Sequence, residues 1–139
     1  MQKVVIVLIH NDEHDFLSLR RAKGTSDGII WGFPSGKVER GETEKDAVYR
    51  EVFEETGILC QPRQKIGERI VGDIELSYWT ATVIGGQPRD PISGEISDVA
   101  FRSSAALQKL IPVERMHPVV RTALKIEEKT VHEMPTLKV

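Results

Sequence analysis

Apolar residues run unbroken from Val4 to Ile9. A strand with one wet face alternates apolar and polar positions, so an unbroken run predicts a strand covered on both faces, here over residues 3–9. The run is too short to cross a bilayer. His10, Asn11, Asp12 and Glu13 follow it, where a signal peptide would carry a small-residue cleavage site. Asn11–Asp12–Glu13 predict a turn, and residues 15–21 its hairpin partner with Leu17 and Leu19 on one face.

Residues 22–42 show neither helical nor strand periodicity and hold Gly24, Gly28, Gly32, Pro34, Gly36 and Gly41. A long irregular stretch is usually functional or disordered, and Trp31 and Phe33 argue for function. Thr43 then suits a helix N-cap, with Asp46 three residues on resembling a short capping box. The helix is expected to reach about Thr56 and to stop at Gly57, because glycine tolerates the left-handed conformation at that position. Strands are expected over 64–71 and 74–84 around Gly72–Asp73, and over 97–102. Ser104 is expected to cap a short helix ending before Pro112. Met116, Val119, Val120, Ala123 and Leu124 follow helical spacing and predict a final helix over about 117–128. The tail from Lys129 is expected to be loose. Strands and helices mix without regular βαβ alternation, which predicts an α+β fold with a mixed or antiparallel sheet and helices packed on it.

Length and composition fit this picture. The 139 residues suit a single domain over 1–139, and 40% hydrophobic content supplies a core without disulfides. The lone Cys60 reads as a small buried residue and points to a reducing, cytoplasmic setting. A net charge of -2 argues against bulk nucleic acid as a partner but leaves phosphate-bearing small molecules open. No membrane partner is expected, and the chain is expected to be a monomer or a homodimer. His10, His14, His117 and His132 lack metal-ligand spacing, and His117–Pro118 reads as a helix start.

One cluster changes the picture. Glu51, Glu54 and Glu55 stand at i, i+3 and i+4 and share a helical face. Glu54 and Glu55 fall in the last turn, where the macrodipole favours cations, yet residues 51–57 contain no lysine or arginine. A solvated acidic face is the plain alternative. Against it, Ala47 and Val48 lie one turn earlier on that face, and Val52 and Phe53 point to other sides, so the helix is expected to be packed on more than one flank. Carboxylates between packed surfaces need a counter-charge, and an all-oxygen set suits Mg²⁺ or Mn²⁺ better than zinc. Arg50 is placed to fork onto Glu42, or to stand as an ordinary surface arginine.

The segment GKVERGETEKDAVYREVFEETGI, from Gly36 to Ile58, resembles the Nudix box G-x5-E-x7-R-E-U-x-E-E-x-G-U (U aliphatic). Gly36, Glu42, Arg50, Glu51, Val52, Glu54, Glu55, Gly57 and Ile58 fill every fixed position. Trp31–Gly32–Phe33–Pro34 resembles the lead-in of MutT-type members. The resemblance implies the Nudix fold, a mixed sheet between helices, and hydrolysis of a pyrophosphate bond in a nucleoside diphosphate linked to another moiety. The first substrate it suggests is a nucleoside triphosphate, with an ordinary or an oxidised base. Dinucleoside polyphosphates, nucleotide sugars and capped RNA are alternatives, as is a module that senses nucleotides without cleaving them. It implies Glu51, Glu54 and Glu55 as metal ligands, Glu51 or Glu54 as general base, and Arg50 as an orienting group. Glu42 would brace the loop or reach the metal through water. Gly36 and Gly57 would be structural.

The Ser35 carbonyl is a further implied ligand, although many members have glycine there. Glu95, six residues before Phe101, is the implied loop carboxylate, with Asp98 its competitor. Arg20 and Arg21 are candidates for substrate phosphates, with exposed edge arginines as the alternative. Trp31, Phe33, Tyr78 and Trp79 are candidate stacking surfaces, of which at least half are expected in the core.

Overall fold

The computed structural model describes residues 1–22, 28, 30–89 and 95–126. Among these residues seven strands form one sheet: β1 (Gln2–His10), β2 (Phe16–Arg21), β3 (Trp31–Gly32), β4 (Ser35–Lys37), β5 (Ile58–Val71), β6 (Ile74–Gly86) and β7 (Ile96–Arg102). Helices α1 (Glu44–Thr56), α2 (Ser104–Leu110) and α3 (Pro118–Ala123) complete the fold, with a 3-10 turn at Val113–Arg115. The sheet is mixed. β1 runs parallel to β6 and antiparallel to β4, and β5 pairs antiparallel with β6.

The unbroken apolar run of β1 has the reason expected of it, a layer on each face. Val5, Val7 and Ile9 meet Ala47, Val48 and Val52 of α1 in one core. Leu8 meets Leu107, Ile111, Met116, Val120 and Leu124 of the α2–α3 layer in the other. The same alternation separates the neighbouring aromatics of β6. Trp79 faces α1 and donates from Nε1 to Glu44 at 2.9 Å, whereas Tyr78 belongs to the opposite core.

Several expectations need correction. Residues 15–21 do follow β1 as its antiparallel partner, meeting it at His10–Phe16, but most of β2 pairs with β7, which the local pattern did not announce. The stretch 22–42 is not wholly irregular, since β3 and β4 lie inside it; both are too short to carry a period. β5 begins at Ile58, directly after the helix, rather than at residue 64. Ser103, not Ser104, caps α2, accepting from the Ala106 N–H at 3.1 Å. α3 stops at Ala123, because Lys125 takes a positive φ of 58° that no helix continues through. The expected last residues of that helix, 127 and 128, and the tail from Lys129 lie outside the described residues. Helix α1 is packed on one flank, not several: Phe53 and Tyr49 are exposed, and the Arg89 guanidinium lies over the Phe53 ring at 5.0 Å. Among the described residues no helix is long and apolar enough to cross a membrane.

Candidate active site

Helix α1 is held at both ends by its own sequence. Thr43 Oγ1 accepts from the Asp46 N–H and Asp46 returns the bond to the Thr43 N–H, each at 3.1 Å. Gly57 closes the helix at φ 80°, where a side chain would be strained. Between these caps the buried Ala47, Val48 and Val52 seat the helix on the sheet, and so direct Glu51 and Glu55 towards β4. A Cβ on Gly36 would overlap the Glu51 carboxyl group, so this close approach requires glycine.

The three glutamates differ in setting. The side chains of Glu51 and Glu55 are 15% and 16% exposed, that of Glu54 56%. Arg50 joins two of them to the loop. Its Nε and Nη2 fork onto Glu42 at 2.7 and 2.8 Å, while Nη1 reaches Glu51 at 2.8 Å and Glu54 at 3.3 Å. Nη2 also donates to the Lys37 carbonyl at 2.9 Å. Arg50 is therefore the loop-to-helix tie and not a surface arginine. Its hydrogen bonds hold the Glu42 carboxyl down to about 2, with help from the Glu39 N–H and against the effect of burial.

Glu51 and Glu55 shift the other way. Burial raises both, opposed by Arg50 for Glu51, and by the Ser35 N–H and Arg21 for Glu55. Glu55 accepts from the Ser35 N–H at 2.9 Å and faces Arg21 Nη1 at 3.4 Å. Two buried carboxyls reluctant to ionise are groups that a hard cation would relieve. Among the described residues, no three His, Cys, Asp or Glu side chains converge as a ready-made cage. The acids are turned towards Arg50, Arg21 and Ser35 instead. The donor chemistry nevertheless fits a hard divalent ion: three carboxylates at one helix end, two of them buried, with no sulfur or imidazole among them.

Arg21 links this cluster to a cavity. Its Nη2 donates to the Phe33 carbonyl at 3.2 Å and to Ser35 Oγ at 3.1 Å, and Arg21, Phe33 and Ser35 all line a cavity of about 300 Å³. Trp31, Tyr78 and His117 add aromatic surface, and Arg69 and Arg115 add positive charge. No aspartate or glutamate is among the described lining residues. Tyr78 and His117 stack at 5.1 Å with 15° between planes. Burial, aided by Arg69 and Arg121, lowers the His117 pKa, and its neutral Nδ1 caps α3 by accepting from the Val119 N–H at 3.2 Å. A larger cavity of about 840 Å³, lined by His10, His14, Arg63 and Lys125 among others, includes none of the box glutamates.

Not every candidate reaches the site. Arg20 and Arg21 part company at a bulge in the β2–β7 pairing, which re-aims side chains. Arg20 donates to Ser97 Oγ at 3.0 Å and is not among the residues lining the smaller cavity. Glu95 is exposed, and its carbonyl accepts from the Ala22 N–H at 2.7 Å, which anchors it next to Arg21. Asp98 is engaged by Arg102 at 2.9 Å. Trp79, Tyr78 and Phe33 are all core residues, as expected of at least half of the four, and Phe33 and Tyr78 together with Trp31 also line the cavity. Arg69, Arg115 and Met116 went unnoticed as lining residues. They carry no local motif, and only the β5–β6 hairpin and the turn before α3 bring them there.

Comparison with known proteins bears on the family and the fold. A model of the NUDIX domain matches residues 1–123. The 8-oxo-dGDP phosphatase NUDT18 of Mus musculus is 41% identical over 59 residues, which are 42% of this chain and 18% of that protein. The 8-oxo-dGTP diphosphatase of Escherichia coli is 37% identical over 59 residues, 42% of this chain and 46% of that one. The match thus takes in less than half of either relative. A solved MutT structure, from work on Aliivibrio salmonicida and Vibrio cholerae, is 27% identical with a TM-score of 0.63, covering 89% of this chain and 97% of the other.

Proposed function

From the premise that this chain belongs to the NUDIX family, we propose that it hydrolyses a nucleoside triphosphate, with an ordinary or an oxidised base, to the monophosphate and pyrophosphate. One observation carries the reading. Glu55 shares Arg21 and Ser35 with a cavity that is aromatic and cationic and has no acid among its described lining residues. A nucleotide seated there would meet stacking surface for its base and positive charge for its phosphates, with the α1 carboxylates beside them. The names of the two relatives, which refer to 8-oxo-dGDP and 8-oxo-dGTP, support an oxidised purine as the base.

Family members generally need a divalent metal, and we take it here to be Mg²⁺ or Mn²⁺, as suits an all-oxygen set. Glu51, Glu54 and Glu55 would hold it, with the Ser35 carbonyl and Glu95 as further donors. When bound, such a metal neutralises phosphate oxygens and makes water more acidic. The protein's own groups do the rest. Arg50 keeps Glu51 and Glu54 aimed, and Arg21 fixes Glu55. Glu51 or Glu54 takes the proton of the attacking water; Glu54 is the more open to solvent and accepts a single long bond from Arg50.

The test is a panel of nucleoside triphosphates, their 8-oxo forms, dinucleoside polyphosphates and nucleotide sugars, with products identified. Monophosphate and pyrophosphate are expected from a triphosphate with either metal. Full turnover in excess chelator would overturn the metal assignment, and a folded protein inert towards the whole panel would overturn the activity.

A further inference from the structure

Arg102 ends β7, outside the box and outside the lining of the cavity. Its guanidinium lies 4.6 Å from the centroid of the Trp31 indole, a ring that does line the cavity. Nη1 donates to Ser18 Oγ at 2.8 Å and Nη2 to Asp98 at 2.9 Å. Ser18 is fully buried and passes its own proton to the Ala100 carbonyl at 3.0 Å. The guanidinium is therefore fixed in position by two bonds and is itself 18% exposed, while Asp98 is 42% exposed. An arginine this buried is costly to place unless its planar face does something that a smaller apolar side chain would not.

Trp31 supplies the reason. It begins an edge strand of two residues that pairs with β2 at Leu19 and Arg20, beside the bond from the Arg21 N–H to the Ile30 carbonyl at 2.7 Å, so its backbone is held along one edge. An indole on so short a strand would lose rotamer freedom on stacking against a ligand, which weakens binding. A cation stacked on Trp is the strongest of the cation–π pairs and removes that freedom in advance. Tyr78, which lines the same cavity, is likewise stacked, on His117.

We propose that Arg102 is a positioning residue that holds the Trp31 indole as the stacking platform for the base of the bound nucleotide. The inference rests on the nucleotide reading of the cavity but not on hydrolysis. Ser18 and Asp98 fix the guanidinium, the guanidinium fixes the indole, and the indole meets the base.

Trp31 fluorescence tests it, read in a Trp79→Phe background so that a single tryptophan reports. Titration with nucleoside monophosphates is expected to quench Trp31. Arg102→Met is expected to weaken that binding about three- to tenfold, as loss of one pre-ordered side chain would. Arg102→Lys, which keeps the charge without the plane, is expected to behave like Arg102→Met. In turnover the loss is expected in KM, with kcat nearly unchanged. If Arg102→Met does not fold, Asp98→Asn loosens the same guanidinium from the solvent side and is expected to give a smaller shift of the same sign. Unchanged monophosphate affinity in a folded variant, or a fall confined to kcat, overturns the proposal. A protein that hydrolyses no nucleotide yet shows an Arg102-dependent quench would refute the proposed activity and leave this inference standing.

Discussion

Glu51 and Glu55 burden the metal-free protein at neutral pH, because burial raises both carboxyls by more than Arg50 and Arg21 lower them. A group whose folded pKa is raised stabilises below its unfolded pKa and loses that contribution as pH rises through the folded value. Glu55→Gln is therefore expected to raise the melting temperature of metal-free protein at pH 7 and to lose that advantage in acid, as thermal scans across pH would register. Glu42 has the opposite sign. Held at about 2 by Arg50, it stabilises above its ordinary 4.5 and loses that contribution as pH falls from there towards 2. Urea midpoints of wild type and Glu42→Gln should therefore converge as pH falls over that window. Glu54→Gln is expected to keep the fold and cut turnover by about 10²–10⁴-fold, as loss of a general base does; near-normal rates in a folded variant would remove Glu54 from the chemistry.

At the scale of elements, α1 is a helix whose ends decide its phasing, and the phasing decides where the acids point. Thr43→Ala removes one half of the capping box and is expected to cost about 1 kcal/mol in chemical denaturation. Gly57→Ala is expected to cost more than about 1 kcal/mol, because φ is 80° and the added Cβ would stand 2.7 Å from the Gln87 carbonyl. A cost below that of the cap variant would contradict this. These features were legible in the sequence because capping, helical phase and the left-handed glycine are written within a few neighbouring residues. The same holds for the covered strand at Val4–Ile9 and for the box acids. β3, β4 and the early start of β5 were not legible. Strands of two or three residues carry no period, and pairing partners far along the chain define them. Phe53 misled for a related reason. Its apolar character suggested a second packed flank, but Arg89 from a distant loop is what covers it.

In the molecule as a whole, the sheet separates two cores, and the cavity opens on the α2–α3 side while α1 packs against the other. Arg69, Arg115 and Arg102 acquire their places only through this assembly, which is why no local pattern announced them. Cys60 lies in the α1 core, 1% exposed, and burial pushes its thiol up to about 11. It should resist a thiol reagent in the native state and react fully once urea unfolds the chain; rapid native labelling would show that this core opens. The parallel pairing of β1 with β6 has a further consequence. Gln2 lies beside Ile74 and His10 beside Thr82, so that edge of β1 must wait for a partner some seventy residues later. At roughly 5–20 residues per second of synthesis, that wait is on the order of 4–14 seconds. For that interval Val4–Ile9 can pair with β4 on one edge while its other edge, the one β6 will fill, stays open.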